Sequence, residues 1–141
     1  MRLMRVGFDL DGTLDRPAVR DLALSLLRAG HHVYVISGCF LEAGPWQDED
    51  AKFVKLARLG LIKATHDDGY EGYDVPENLH IMILPAVDHE KFDRDYRLAD
   101  LGLRKGAYIS QMGIEIMFDD SELYCKMMPS MCGAQIVQVL R

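Results

Sequence analysis

Apolar residues along the chain fall into short blocks of two kinds. Residues 3–8, 32–36, 79–84, 114–118 and 135–140 are compact apolar or β-branched runs, which predict five buried strands. Between them the spacing becomes helical. Pro17 suits the first turn of a helix, where its missing N–H costs nothing. Ala18, Val19, Leu22, Ala23, Leu26 and Leu27 follow at i, i+3, i+4 spacing, and Gly30 stops the run. Asp48, Glu49 and Asp50 crowd the start of a second helix, where acids favour the positive dipole end. Phe53, Val54, Leu56 and Ala57 give that helix its apolar face, and Gly60 closes it. A third helix is predicted over residues 103–112, beginning near Arg104 and Lys105 and stopped by Gly113. Ser121 is placed to cap a short helix through Met128, which Pro129 breaks. Residues 65–78 are polar and show no helical or strand period. Residues 88–99 are highly charged and read as a short helix or an ordered loop.

Strands alternating with helices predict right-handed crossovers and parallel pairing. The expected fold is α/β, a three-layer sandwich around a five-stranded parallel sheet. A length of 141 residues suits one domain over residues 1–141, long enough to bury a core without disulfides. The hydrophobic fraction of 49% and charged fraction of 27% are ordinary globular values. Cys39, Cys125 and Cys132 are scattered, with no CxxC pair, which fits reduced thiols and a cytoplasmic protein. The charged start, Met1-Arg2-Leu3-Met4-Arg5, has no long apolar stretch behind it, and no run approaches the ~18 residues of a membrane span. Neither a signal peptide nor a membrane partner is expected. The net charge of −6 argues against general nucleic-acid binding.

The chemistry concentrates at strand ends. Phe8-Asp9-Leu10-Asp11-Gly12-Thr13-Leu14 places two carboxylates between an apolar strand and a glycine turn. Ligands of α/β sheets bind at such strand ends, and a cation between the acids keeps both ionised. Ser37 and Gly38 end the second strand at the same sheet edge, and Asp119 and Asp120 end the fourth. Each has an ordinary alternative: Asp-Gly is a common turn, Ser-Gly a common loop, and Asp119-Asp120 a helix cap.

Together these residues resemble the haloacid dehalogenase-like (HAD) superfamily of phosphohydrolases. Its DxDGT motif stands complete as Asp9-Leu10-Asp11-Gly12-Thr13. Its strand-ending Ser or Thr is matched by Ser37, its helix-start lysine by Lys105, and its acidic pair by Asp119-Asp120. Lys91 and Arg104 compete for the lysine position. The likeness covers nearly the whole chain, residues 6–140, and implies a Rossmann-like HAD fold. It implies Asp9 as nucleophile, forming an aspartyl-phosphate, and Asp11 as general acid and base. Ser37 and Lys105 would stabilise the transferring phosphoryl group, with Gly12, Thr13 and Gly38 lining its cradle. Asp119, Asp120, Asp9 and the carbonyl of Asp11 would hold Mg²⁺. Dehalogenases of the superfamily lack the second Asp and P-type ATPases carry Thr there, so Asp11 points to phosphatase chemistry.

Many members carry a cap domain that selects the substrate. Here neither insertion point has room for one, and residues 65–78 make at most a small flap. The implied partner is a phosphorylated small molecule or macromolecular end: a nucleotide, nucleic-acid end, sugar phosphate or phosphoprotein. Open sites in this family often serve large substrates or close by oligomerising, and small-molecule substrates also occur. A grouping of Arg94, Arg97, Arg104 and Lys105 is one candidate basic patch. Trp46 is placed to stack on a substrate ring or to pack beneath its loop. His31-His32 read as surface residues, His66-Asp67-Asp68 as solvated loop groups, and Met127, Met128 and Met131 as packing. The alternative reading is a HAD-like binding or regulatory module with little turnover. A receiver domain needs its phosphoacceptor Asp after the third strand, where Ile83-Leu84-Pro85 stands.

Overall fold

A computed structural model describes residues 2–39, 45–67, 70–85 and 91–140, with only the backbone described at 39, 45–49, 66–67 and 70–71. The elements are β1 (Arg5–Phe8), α1 (Pro17–Arg28), β2 (His32–Cys39), α2 (Pro45–Arg58), β3 (Lys63–Asp67), β4 (Tyr70–Asp74), β5 (Leu79–Pro85), α3 (Arg94–Met112), β6 (Ile116–Asp119), α4 (Glu122–Met127) and β7 (Gln135–Gln138). The main sheet has five strands in the order β5-β2-β1-β6-β7. All four pairings are parallel, with Phe8 level with Val35 on one side and Phe118 on the other.

Side chains alternate across this sheet and create two cores, one on each face. Val6, Phe8, Val33 and Val35 pack with Leu14 and Ala23 beneath α1 and with Leu56 of α2. Tyr34, Ile36 and Met117 pack with Ile109 of α3 and with Met128. The result is the expected layering, helices on both faces of a parallel sheet. Phe8 and Phe118, register partners on the central strands, stack with ring centroids 5.1 Å apart. Among the described residues no helix is long and apolar enough to cross a membrane.

Two segments differ from the expectations. Residues 65–78, read as aperiodic, contain most of an antiparallel hairpin, β3–β4, separate from the main sheet. Its polar composition gives no alternation because it packs locally: Tyr73 meets Phe53 of α2 with ring centroids 5.6 Å apart. The charged stretch at 88–99 supplies the first turns of α3, which begins at Arg94 and not near Lys105. Asp93 is the N-cap, its carboxylate accepting from the Tyr96 N–H at 2.8 Å. Lys105 therefore lies about three turns inside the helix. On α2, Phe53, Leu56 and Ala57 join the core, whereas Val54 is 46% exposed, since its position turns away from the sheet.

Candidate functional site

In the order β5-β2-β1-β6-β7 the chain leaves β1 first to one side and later to the other. The crevice at that reversal, outside the carboxyl ends of β1 and β6, is the expected ligand position. Asp9 leaves β1 there, and its N–H donates to the Phe118 carbonyl at 2.8 Å, tying the two strand ends together. The chain then makes an irregular turn over Leu10–Leu14, with Asp11 extended and Gly12 at φ 80. Gly12 is required twice. Its φ is left-handed, and a Cβ would collide with the Asp120 carboxylate.

Three acids converge beneath this turn. Asp9, Asp119 and Asp120 each offer a carboxylate oxygen within 4.8 Å of the others. Asp9 and Asp119 are buried, at 7% and 0% exposure. Lys105 reaches them from α3, its Nζ donating at 2.9 Å to both Asp9 Oδ1 and Asp119 Oδ2. Burial works against the Lys105 ammonium, but the Asp9 and Asp119 charges win and hold its pKa above the ordinary lysine value. Burial raises the Asp9 carboxyl against the pull of Lys105, and Asp119 adds to the rise, taking it to about 7. Thr13, fully buried, lies 3.3 Å from Asp9 Oδ2 and 3.5 Å from Asp120 Oδ1. The Asp119 Oδ1 atom accepts from the Ser121 N–H, which also starts α4.

A second basic group flanks the first. Lys52 of α2 is buried and donates to Ser37 Oγ at 2.8 Å and to Asp11 Oδ2 at 3.1 Å. Lys55, one turn on, donates to Asp11 Oδ1 at 2.7 Å and also pairs with Asp15. Partial burial raises the Asp11 carboxyl, but the Lys55 and Lys52 contacts outweigh it and hold the pKa below the usual carboxylate value. Asp11 is thus turned out of the buried acid cluster, with its side chain 62% exposed.

The residues singled out from the sequence meet at one open cleft of ≈ 380 Å³. Asp9, Asp11, Ser37 and Lys105 line it, with Gly38 at the end of β2 and Asp120 beside Gly12. Leu101 packs against Gly38, where a Cβ would lie 3.1 Å from the leucine methyl, and Tyr124 forms the apolar side with it. The Tyr124 ring centroid is 4.5 Å from Lys105 Nζ, a cation–π contact that adds to the lysine's restraint. Trp46 is in the first turn of α2, and its side chain lies outside the described residues. So do those of His66 and Asp67, and Asp68 altogether.

Sequence reasoning missed Lys52 and Lys55. Their spacing, i and i+3 on the helix that follows Ser37, was the available signal, because that spacing gives two side chains one helix face. The remaining basic grouping separates: Lys105 enters the acid cluster, and Arg104 pairs with Asp100 one turn back at 2.8 Å.

The donor set fits a hard divalent cation. Three carboxylates in a partly buried cluster offer only oxygen ligands, and the neighbouring ammonium offsets one of the three negative charges. No protein-family model matches the chain, and no curated protein matches it. The fold and the site therefore define a class only: an α/β protein with a buried acidic centre at the switch point of its sheet.

Proposed function

We propose that the protein is a Mg²⁺-dependent phosphomonoester hydrolase of the haloacid dehalogenase-like type, working through an aspartyl-phosphate. The observation that carries this reading is the position of Asp9. It is buried beside two further acids and a lysine, at the floor of an open cleft that also receives the Ser37 hydroxyl. Asp9, Asp119 and Asp120 would hold Mg²⁺, which supplies charge neutralisation for a dianionic substrate.

The chain's own groups divide the rest of the work. The Asp9 carboxylate attacks phosphorus, and the ester oxygen leaves as its bond to phosphorus breaks. Ser37 Oγ and Lys52 Nζ, 2.8 Å apart, form a donor pair for the phosphoryl oxygens. Lys105 holds Asp9 in place and lines the same cleft, so it keeps the role in stabilising the phosphoryl group that the resemblance gives it. Lys52 adds a second ammonium to that role through its contact with Ser37. Asp11 has the general acid and base roles: its carboxyl gives a proton to the leaving oxygen and takes one back from the water that cleaves the aspartyl-phosphate. At rest Asp11 is pinned by Lys52 and Lys55. An arriving phosphate dianion competes for Lys52, loosens that grip and lets Asp11 take up a proton.

The site is read as capless. Among the described residues, the segment between α2 and β5 contributes only the β3–β4 hairpin.

Phosphate release from p-nitrophenyl phosphate with Mg²⁺ tests the reading, with Asp9→Asn as control. Turnover that depends on Asp9 is expected. Release no faster than that of Asp9→Asn would leave a binding or regulatory module instead.

A further inference from the structure

The walls of the cleft are unequal in charge. Asp9, Asp11, Asp120 and Glu122 all line it, and among the described residues Lys105 is the one basic residue that does so. The ammonium groups around it are committed. Lys105 bonds Asp9 and Asp119, Lys52 bonds Ser37 and Asp11, and Lys55 bonds Asp11 and Asp15. On the phosphohydrolase reading, Lys105, Lys52 and a bound Mg²⁺ all serve the phosphate that reacts. Among the described residues, that leaves no cation on the walls to receive a second anion.

Glu122 has no part in that arrangement. It is not one of the three acids placed to hold the metal. It is exposed, in the first turn of α4, and its Oε1 pairs with Lys126 one turn on at 3.0 Å. The two side chains are 71% and 70% exposed, so water screens the pair and a ligand's cation can displace it. The apolar part of the lining is Leu101 with Tyr124, and Tyr124 is two residues from Glu122 on the same short helix. An aromatic ring and a carboxylate at one site are both attractive to an ammonium group. The cleft's ≈ 380 Å³ lies near the lower end of the ~300–1,000 Å³ of small-molecule sites, room for a phosphate and a short leaving group.

We propose that the substrate is a small monoester with a single phosphate and a cationic leaving group, an amino-alcohol phosphate, whose ammonium is held by Glu122 while its methylenes meet Leu101 and Tyr124. This rests on the phosphohydrolase reading above and names the substrate class of the same site.

Three esters of matched size decide it in the presence of Mg²⁺: O-phosphoethanolamine, ethylene glycol monophosphate and phosphoglycolate. Their leaving groups end in an ammonium, a hydroxyl and a carboxylate. The expected order of kcat/KM is ammonium, hydroxyl, carboxylate, with about ten-fold or more between the ends, carried mainly by KM. Glu122→Gln should bring the three together, and Glu122→Lys should reverse the order. Thermal unfolding shows that both variants fold, since the side chain they replace is exposed. Equal use of the three esters, any other order, an order that persists in Glu122→Lys, or turnover confined to p-nitrophenyl phosphate overturns the proposal and leaves the hydrolase standing. Failure to hydrolyse any of the four esters sinks the hydrolase, and calorimetric binding of the three matched esters with Mg²⁺ then decides the site by itself. A preference for the ammonium ester that Glu122→Lys reverses keeps the site. Equal binding, or none, removes it.

Discussion

Lys105 Nζ and Asp9 Oδ1, from residues 96 apart in the chain, meet at 2.9 Å with the lysine side chain only 1% exposed. Asp119 takes a second bond from the same nitrogen. Replacing the lysine by methionine keeps most of its volume and leaves two buried carboxylates without their cation. Lys105→Met is expected to cost about 3–5 kcal/mol, read as a lowered urea midpoint in the absence of divalent metal. An unchanged midpoint would show that the pair does not hold the site together.

Metal should replace part of that neutralisation. At a concentration one hundred times its Kd, a cation bound only by the folded chain adds about 2.7 kcal/mol. Thermal scans in Mg²⁺ and in EDTA should therefore separate for the wild-type protein. Asp119→Asn and Asp120→Asn should bring the two curves together, because each removes an acid of the cluster.

The raised Asp9 pKa has a definite sign. Between the unfolded value of 3.8 and the folded value of about 7, the folded chain binds the extra proton. Its contribution to stability is full below the lower value and is lost as pH rises through the upper one. In EDTA, the urea midpoint of the wild-type protein should fall from pH 4 to 7 relative to that of Asp9→Asn. A parallel pH dependence in the two proteins would show that Asp9 titrates normally.

Lys52 and Lys55 should differ in consequence although both touch Asp11. Lys52 is buried against Ser37, where the proposed reaction puts the phosphoryl group. Lys52→Met should lower kcat by about 10²–10³, the loss found when one preorganised donor is removed. Lys55 is partly exposed and pairs at the rim, where an ion pair contributes about 0.2–1 kcal/mol. Lys55→Met should leave kcat within a few fold, with a shifted acidic limb in the rate profile as Asp11 is released. Equal effects in the two variants would contradict this division.

Gly12→Ala should be poorly tolerated. A left-handed φ costs a residue with a side chain about 1–2 kcal/mol, and the new methyl collides with Asp120. The expected result is a lower melting temperature together with weaker Mg²⁺ binding, measured by calorimetry. Destabilisation without a change in metal affinity would mean that Asp120 simply moves aside.

The five-stranded sheet was legible because each of its strands is a separate apolar block bounded by a glycine, a proline or a polar residue. The α1 boundary followed from Pro17 and Gly30, and the α4 cap from Ser121. The acids were legible because their order along the chain follows the strand ends. Three features were hidden. The β3–β4 hairpin packs through Tyr73 on a neighbouring helix, so it shows no alternation of its own. The first turns of α3 are held by the Asp93 cap and charged residues, so an apolar period begins only later. Lys52 sits among charged residues on α2 and is drawn inward by Ser37 and Asp11, partners that only the folded sheet brings near.

The sheet's central seam has a further consequence. Asp9 and Asp119 face each other across the β1–β6 pairing, which joins nearly the start of the chain to nearly its end, Gly7 beside Met117. Closing so long a loop carries the greatest entropic cost of the sheet's strand pairings. A nascent chain that has not yet delivered β6, or a fragment clipped before it, carries the DxDGT turn but no acidic centre. An ion held by Asp9, Asp119 and Asp120 would therefore report that β1 and β6 have paired.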